Sequence, residues 1–413
     1  MGGMDTTMLF TVALQLADPW KVIDVSFRDA AGGKREPRIT VGYGPGSRVH
    51  CPEAKCREGS CPVHDTAERT WRHLDFFQYR AYIHALVPRV ACPAHGVRTV
   101  PMSWARPGSG FTLLFEAMVV ELAETRPVAG VAAQVGEHDT RLWRFIRHYV
   151  GEARLYEDCT DVEAIGIDGT GRKGHGHITV VADPAGRNVA CVVPGKDSNT
   201  VKEFARDFMD RNGDPDRVSP VTCDMSPGFA RGIRERLPHA HGIIDKFHVI
   251  KHANEAVDKV GKAEAGDRPV LRNTKYVWLR NEAGLADPRL EVKRNLARRR
   301  LKTARACGMR ETLQDIHADS ASRMEAEAGF KPLRSWMMHS RSEPMKALTR
   351  QFRRHRDDIL AYFDHPYTNA ILEGPNGIIQ HVKTRSRGFR NMDCFSTMIY
   401  LTCGKLDLKT VTA

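Results

Sequence analysis

The chain has 413 residues, 41% hydrophobic and 27% charged, enough apolar material for a sizeable core and too much chain for one ordinary domain. Its net charge of +12 and pI of about 9.3 favour polyanionic partners, nucleic acid above all. No apolar run reaches the roughly 18 residues of a membrane span, and the N-terminal MGGMDTTMLFTVALQLADPW lacks a basic leader, so membrane is excluded as a partner and a cytoplasmic, nucleoid-associated protein is expected.

Residues 1–50 alternate short apolar runs with turns, and KVIDVSF and PRITVGYG predict strands in an N-terminal β segment. Residues 51–105 hold four of the ten cysteines, Cys51, Cys56, Cys61 and Cys92, together with His64, His84 and His95. In a reducing compartment such clustering points to a metal rather than to disulfides. Cys61/His64 and Cys92/His95 share a Cys-x-x-His spacing, which makes them one candidate ligand set.

Residues 106–155 are strongly helical: FTLLFEAMVVELAETR, then PVAGVAAQVG, then HDTRLWRFIRHYVGEA. A short helix, a turn at Gly136 and a second helix displaying Arg141, Arg144 and Arg147 fit a helix-turn-helix. Three ordinary packed helices are the alternative.

The texture changes over residues 156–265. VEAIGIDG is an apolar strand ending at Asp168; HITVVAD and NVACVVPG follow as strands. SNTVKEFARDFMDRNG reads as a helix with a Ser cap and a Gly stop. PVTCDMS is a strand ending at Asp224, PGFARGIRERLP a short helix, and HGIIDKFH a strand ending at Asp245. Three meandering strands followed by alternating helices and strands predict an α/β mixed sheet. Residues 266–360 are helical and basic, with nine Lys/Arg and one acid from Pro288 to Arg310. Residues 361–413 carry YTNAILEGPNGIIQHVKTRSRGFRN and a last apolar helix. There Glu373 heads an amphipathic run, a Gly-Pro-Asn-Gly break follows, and Lys383, Arg385, Arg387 and Arg390 come after it.

Acids at the C-terminal ends of neighbouring strands converge on one sheet edge. If the strands of Asp168 and Asp224 are adjacent, two carboxylates with no Lys between them repel. A hard divalent cation, Mg²⁺ or Mn²⁺, resolves that repulsion. Glu373 is the candidate third acid of a site that activates water or a 3′-hydroxyl at phosphorus. The cations after it would hold the flanking phosphates. Asp245 has two readings: a place near the metal, with His248 and Lys251 facing DNA phosphates, or a cap for the helix beginning near Phe247.

The blocks CPEAKCREGSCPVHDTAERTWRHLDFF, VPRVACPAHG, SWARPGSGFT, IGIDGTGRKGHGHITVVAD, CDMSPGF, IIDKFHVIKHANEAVD, LEGPNGIIQHVKTRSRGFRN and MIYLTCGKLDL resemble the ISL-three family of insertion-sequence transposases over nearly the whole chain. The resemblance implies a ribonuclease-H-like core with a helical insertion, preceded by a zinc-binding module and a helix-turn-helix. It implies that Asp168, Asp224 and Glu373 form a DDE triad holding Mg²⁺ or Mn²⁺. It also implies structural Zn²⁺ on Cys51, Cys56, Cys92 and His95, against the competing Cys61 and His64. Two departures stand out: Gly169 occupies a position where the family suggests an acid, and four residues rather than two separate Cys51 from Cys56. The implied partner is double-stranded DNA, at the inverted repeats of an element and at its target, bound by a homodimer or higher oligomer. A transposase that cleaves and joins strands is therefore expected. A non-catalytic DNA-binding regulator and a ribonuclease-H-like nuclease are the alternatives.

Overall fold

The computed structural model describes residues 6–30, 34–44, 46, 47, 49–53, 55–57, 59–171, 176–365, 370–389 and 391–408, with the backbone alone at 30, 34, 283 and 370–373. They fall into two compact units, residues 1–153 with 407–413, and residues 154–406.

The first unit opens with α1 (Thr6–Ala13) and the antiparallel pair β1 (Lys21–Ala30) and β2 (Lys34–Gly42). A small ladder of β3 (Val49–His50) and β4 (Ser60–Cys61) follows, then β5 (Val63–Arg72), β6 (Tyr82–Cys92) and β7 (Gly96–Thr99). The sheet order is β1-β2-β6-β5, with β7 also on β6. β2 runs parallel to β6, pairing Ile39 with Ile83. β1 and β2, from the expected N-terminal β segment, thus share a sheet with β6, whose last residue is Cys92. A two-stranded pair alone is marginal in water; pairing with β6 lets Ile39 and Val41 share one core with Ile83, Ala85 and Val87. Alternation along β6 turns those three inward. Trp104 closes this core edge-on against Trp20 and Trp71, at 5.3 and 5.6 Å between ring centroids.

Three helices complete the unit: α2 (Leu113–Thr125), α3 (Val128–Val135) and α4 (Asp139–Leu155). Thr112 caps α2 by accepting from the Phe115 N–H at 3.3 Å. Gly136 ends α3 in the left-handed conformation, φ 66°, which glycine adopts without steric cost. Arg72, 2% exposed, lies 5.2 Å from the Phe115 ring and joins the sheet to these helices.

The second unit begins with a meander of β8 (Ile165–Gly171), β9 (His177–Asp183) and β10 (Asn188–Pro194). Then come α5 (Ser198–Met209), β11 (Val221–Cys223), α6 (Pro227–Arg236), β12 (Gly242–Ile244) and α7 (Lys246–Asp267). The strand order is β10-β9-β8-β11-β12. β11 is parallel to both β8 and β12, which makes the sheet mixed as expected. Phe204, Phe208 and Phe229 from α5 and α6 pack on Ile165, Ile167 and Val181. The cap of α5 is Asp197, which accepts from the N–H groups of Asn199 and Thr200, and not the predicted serine.

The basic segment is all helical: α8 (Lys275–Leu279), α9 (Asp287–Ala297), α10 (Lys302–Asp319), α11 (Arg323–Met338), α12 (Glu343–Arg354) and α13 (Arg356–Asp364). Leu313, Phe330, Leu333, Leu348 and Phe352 from these helices share a core with Val249 and Val257 of α7 and with Ile244. The chain closes with α14 (Ala370–Arg385) and α15 (Met392–Cys403). The Gly-Pro-Asn-Gly stretch does not break α14, which runs through Pro375. Proline forfeits one helical hydrogen bond, and contacts from α14 to β8 offset that loss. The Tyr400 hydroxyl of α15 accepts from the Val192 N–H of β10 at 2.7 Å.

Candidate metal centres and nucleic-acid interface

The turn after β3 and the turn between β6 and β7 bring Cys51, Cys56, Cys92 and His95 together, with ligand atoms all within 4.8 Å of one another. Cys56 Sγ is 3.6 Å from Cys92 Sγ, and His95 Nδ1 is 3.5 Å from Cys92 Sγ and 3.8 Å from Cys51 Sγ. Metal–sulfur bonds of about 2.3 Å and metal–nitrogen bonds of about 2.0 Å in a tetrahedron imply edges of about 3.6–3.8 Å. Three thiols and one imidazole at these separations fit zinc. Burial raises the Cys92 thiol, but hydrogen bonds from His95, Ala94 and Cys56 outweigh it and bring the thiol down to about 6. The other pair lies elsewhere. Cys61 is buried in the sheet core with its thiol 3.6 Å from the Gly59 carbonyl, and His64 pairs with Asp65 at 3.3 Å. His84, also in this window, bonds Thr70 on the neighbouring strand at 2.8 Å.

The acids lie on the second unit's sheet. Val221 pairs with Ile165 and Thr222 with Gly166, so continuing the register sets Asp224 level with Asp168. Cys223 pairs with Ile244, which sets Asp245 level with Asp224. Asp224 and Asp245 follow their strands directly, as expected. Asp168 does not end its strand: β8 continues to Gly171 because β9 pairs with it that far, while β11 stops four residues short of the matching level.

The two carboxylates are not without a cation between them. Lys196, just before the α5 cap, places Nζ 2.6 Å from Asp224 Oδ2. Its stem lies against Gly169, where a Cβ would sit 2.9 Å from Lys196 Cδ. The small residue at 169 thus makes room for this lysine. Asp168 accepts from its neighbour's N–H at 2.7 Å and from the Asn376 side chain at 2.7 Å. Gln380 donates to Thr170 at 2.7 Å, and Lys383 to the Gly171 carbonyl at 2.7 Å. Asn376, Gln380 and Lys383 recur at helical spacing, so one face of α14 lies along β8. Glu373 is one turn before Asn376 in the same helix; its side chain falls outside the described residues. Oxygen donors from Asp168 and Asp224, flanked by one ammonium and one amide, suit a hard divalent ion.

Neither Lys196 nor Asn376 was singled out from sequence, although Asn376 stands in the most specific block, LEGPNG. His252 was missed as well. Burial first, then His248 and Lys251, hold its ring below the usual histidine range, while Glu255 and Asp224 pull the other way. Asp245 accepts from the Phe247 N–H at 3.3 Å and is 3% exposed, so it caps α7. His248, one turn on, is only 9% exposed. Lys251 is exposed. Beyond α14, Arg385 is half-buried, and Arg387 is exposed at φ 55° in a left-handed turn completed by Gly388 at φ 85°. Arg390 lies outside the described residues.

On α4, Arg141, Arg144, Arg147 and His148 share an exposed face. Arg141 is partly committed: it pairs with Glu137 and lies 4.3 Å from the Phe111 ring centre. This face is braced from below by Glu116, which is fully buried. Arg106 donates to both of its oxygens at 2.8 and 2.9 Å, Ser109 at 2.7 Å and Tyr149 at 2.5 Å. Glu116→Ala strands Arg106 and Tyr149, and breaking a buried pair in this way costs about 3–5 kcal/mol. Chemical denaturation of the full chain reads this directly; a shift no larger than the roughly 0.5 kcal/mol of a surface substitution would refute the bracing role.

Comparisons with known proteins agree with this layout. Residues 165–399 match the ISL3 DDE family model, described as a transposase. Residues 100–150 match the helix-turn-helix domain of transposase family ISL3, and residues 47–95 the zinc-finger of transposase IS204/IS1001/IS1096/IS1165. The transposase for insertion sequence element IS1557 of Mycobacterium tuberculosis is 27% identical over 439 aligned positions, covering 97% of this chain and 96% of that one. The transposase for insertion sequence element IS1001 of Bordetella parapertussis is 25% identical over 362 positions, covering 83% and 85%.

Proposed function

The chain belongs to the ISL3 family of insertion-sequence transposases, and from that premise we propose that it binds the terminal inverted repeats of its element, cleaves one strand at each end and joins the freed 3′-hydroxyl to target DNA. The observation that carries the proposal is the shared level of Asp168 and Asp224 on adjacent parallel strands, with α14 lying along β8. A three-stranded meander followed by two parallel strands is also the arrangement of a ribonuclease-H-like core.

Asp168, Asp224 and Glu373 hold the divalent ion. When bound, Mg²⁺ or Mn²⁺ lowers the pKa of the attacking hydroxyl and stabilises the leaving oxygen. Asn376 orients Asp168 through its amide. Lys196 balances the charge of Asp224 and stands where it can meet a phosphate oxygen as that charge develops. Zinc on Cys51, Cys56, Cys92 and His95 holds the β3–β4 and β6–β7 turns together. The exposed face of α4 meets the element ends, with Arg144 and Arg147 on DNA, and the protein works on paired ends as a homodimer or higher oligomer. No described helix is long and apolar enough to cross a membrane.

Purified protein incubated with Mg²⁺ and end-labelled element termini should give nicked and then joined products. Binding without nicks would instead identify a regulator, and nicks never followed by joining a nuclease. Arg144→Ala should leave folding unchanged and flatten the dependence of log affinity on log salt by about 0.9, the loss of one phosphate contact. Equal affinities at every salt concentration would remove α4 from the interface.

A further inference from the structure

A cleft of about 640 Å³ opens among α9, α10, α11 and the start of α12, and none of the acids described above lines it. Its charged lining is all of one sign: Arg299, Arg300, Lys302, Arg305 and Arg341, with no Asp or Glu. All five are exposed, and among the described residues none of their side chains has a carboxylate partner, although Glu264 accepts from the Lys302 backbone N–H at 2.9 Å. Other cations nearby do find one, as Lys293 and Arg294 do on α9 with Glu311 and Glu282. Five like charges on one cleft repel one another, an arrangement that an anion relieves.

Two further features point to the ligand. Ser342, 8% exposed, lines the cleft at the N-cap of α12, yet its hydroxyl makes no hydrogen bond. The caps Thr112, Asp197, Ser322 and Asn391 each bind their helix. A buried hydroxyl left unpaired is costly, and this one lies at the positive end of a helix, which favours an anion nearby. On the other wall stands Trp336, 36% exposed. Its ring lies against α10 at Gly308, where an added Cβ would be 3.4 Å from Cη2.

We propose that this cleft holds an unpaired nucleotide of single-stranded DNA, its phosphate on the arginines beside the α12 N-terminus and its base against Trp336. A cavity within the roughly 300–1,000 Å³ range of small-ligand sites encloses a nucleotide, whereas a duplex, whose major groove alone is about 12 Å wide, cannot enter it. A cationic groove with an aromatic face is the means by which single strands are bound without regard to sequence. The site extends the DNA-processing reading, since cleavage exposes strand ends, but its test does not depend on cleavage.

The test measures binding of the full-length protein to a short single-stranded oligodeoxynucleotide, to the same strand carrying abasic sites, and to a duplex of the same sequence, without divalent metal. Trp336→Ala should weaken the single strand about tenfold, the scale of one base–aromatic stack, and leave the duplex unchanged. The parent should bind the abasic strand about as weakly as the variant binds the intact one. Equal losses on single strand and duplex, or none, would overturn the proposal. If Trp336→Ala does not fold, as judged by circular dichroism, the comparison of abasic and intact strands on the parent decides alone: equal affinities exclude the stack. Failure of the cleavage assay with this binding pattern intact would overturn the transposase reaction and not the cleft.

Discussion

Asp224→Asn lowers strand cleavage by a factor on the order of a thousand while end binding stays within about twofold, the scale of losing one electrostatic stabiliser of a transition state. The substitution keeps size and shape and removes one unit of charge. It leaves the backbone contact at Ser226 in place, since an amide oxygen can still accept from that N–H at 2.9 Å. The ammonium of Lys196 loses its anion, but that side chain is 34% exposed and can turn to water, so the fold bears little of the cost. What would be lost, on the proposed function, is a ligand for the divalent ion. Asp168→Asn should behave alike in cleavage, because Asp168 stands at the same level of the sheet. Filter binding and product gels on the same preparations separate the two quantities. Equal cleavage by Asp224→Asn and the parent in Mg²⁺ would remove Asp224 from the triad.

Removing zinc from the Cys/His cluster, by chelation or by Cys92→Ser, unfolds the β3–β7 region cooperatively and weakens end binding by at least about tenfold. Structural zinc supplies folding energy outright, about 10–16 kcal/mol in isolated fingers. Here Cys92 is the last residue of β6, the strand on which β2, β5 and β7 all pair, so the damage spreads through the sheet. Cys61→Ser provides the contrast. Cys61 packs in the core and is not among the four grouped ligands, so its loss should cost a few kcal/mol at most and release no metal. Elemental analysis with limited proteolysis across residues 50–100 reads both. A zinc-free native preparation, or metal release by Cys61→Ser alone, would reject the ligand set.

The helices and strands were legible where their cause is local. HITVVAD alternates and carries β-branched residues, and β9 spans those residues and no others. Gly136 was legible as the turn between α3 and α4 because glycine ends a helix in the left-handed conformation. Two cues misled for an equally local reason. Pro375 reads as a break, yet α14 passes through it because its Asn376, Gln380 and Lys383 are held on β8. Ser198 reads as a cap, yet Asp197, one residue earlier, takes the two N–H groups.

The sequence by itself determined what short-range chemistry can specify: a basic chain without a long apolar run, a Cys/His cluster, a helix pair displaying arginines, and acids beside apolar strands that resemble one transposase family. Only the tertiary structure decided which of these residues meet. Asp168 and Asp224 are 56 positions apart, and their shared level depends on β11 pairing parallel to β8. Asn376 reaches Asp168 across 208 positions, and Lys196 reaches Asp224 across 28. That Cys51, Cys56 and Cys92 meet His95 while Cys61, of the same chemistry, is not among them is likewise decided by the fold. Pairing partner and register follow from the joint burial of many distant apolar groups, such as Ile165 with Phe204 and Ile39 with Ile83, and no local pattern of residues carries that information.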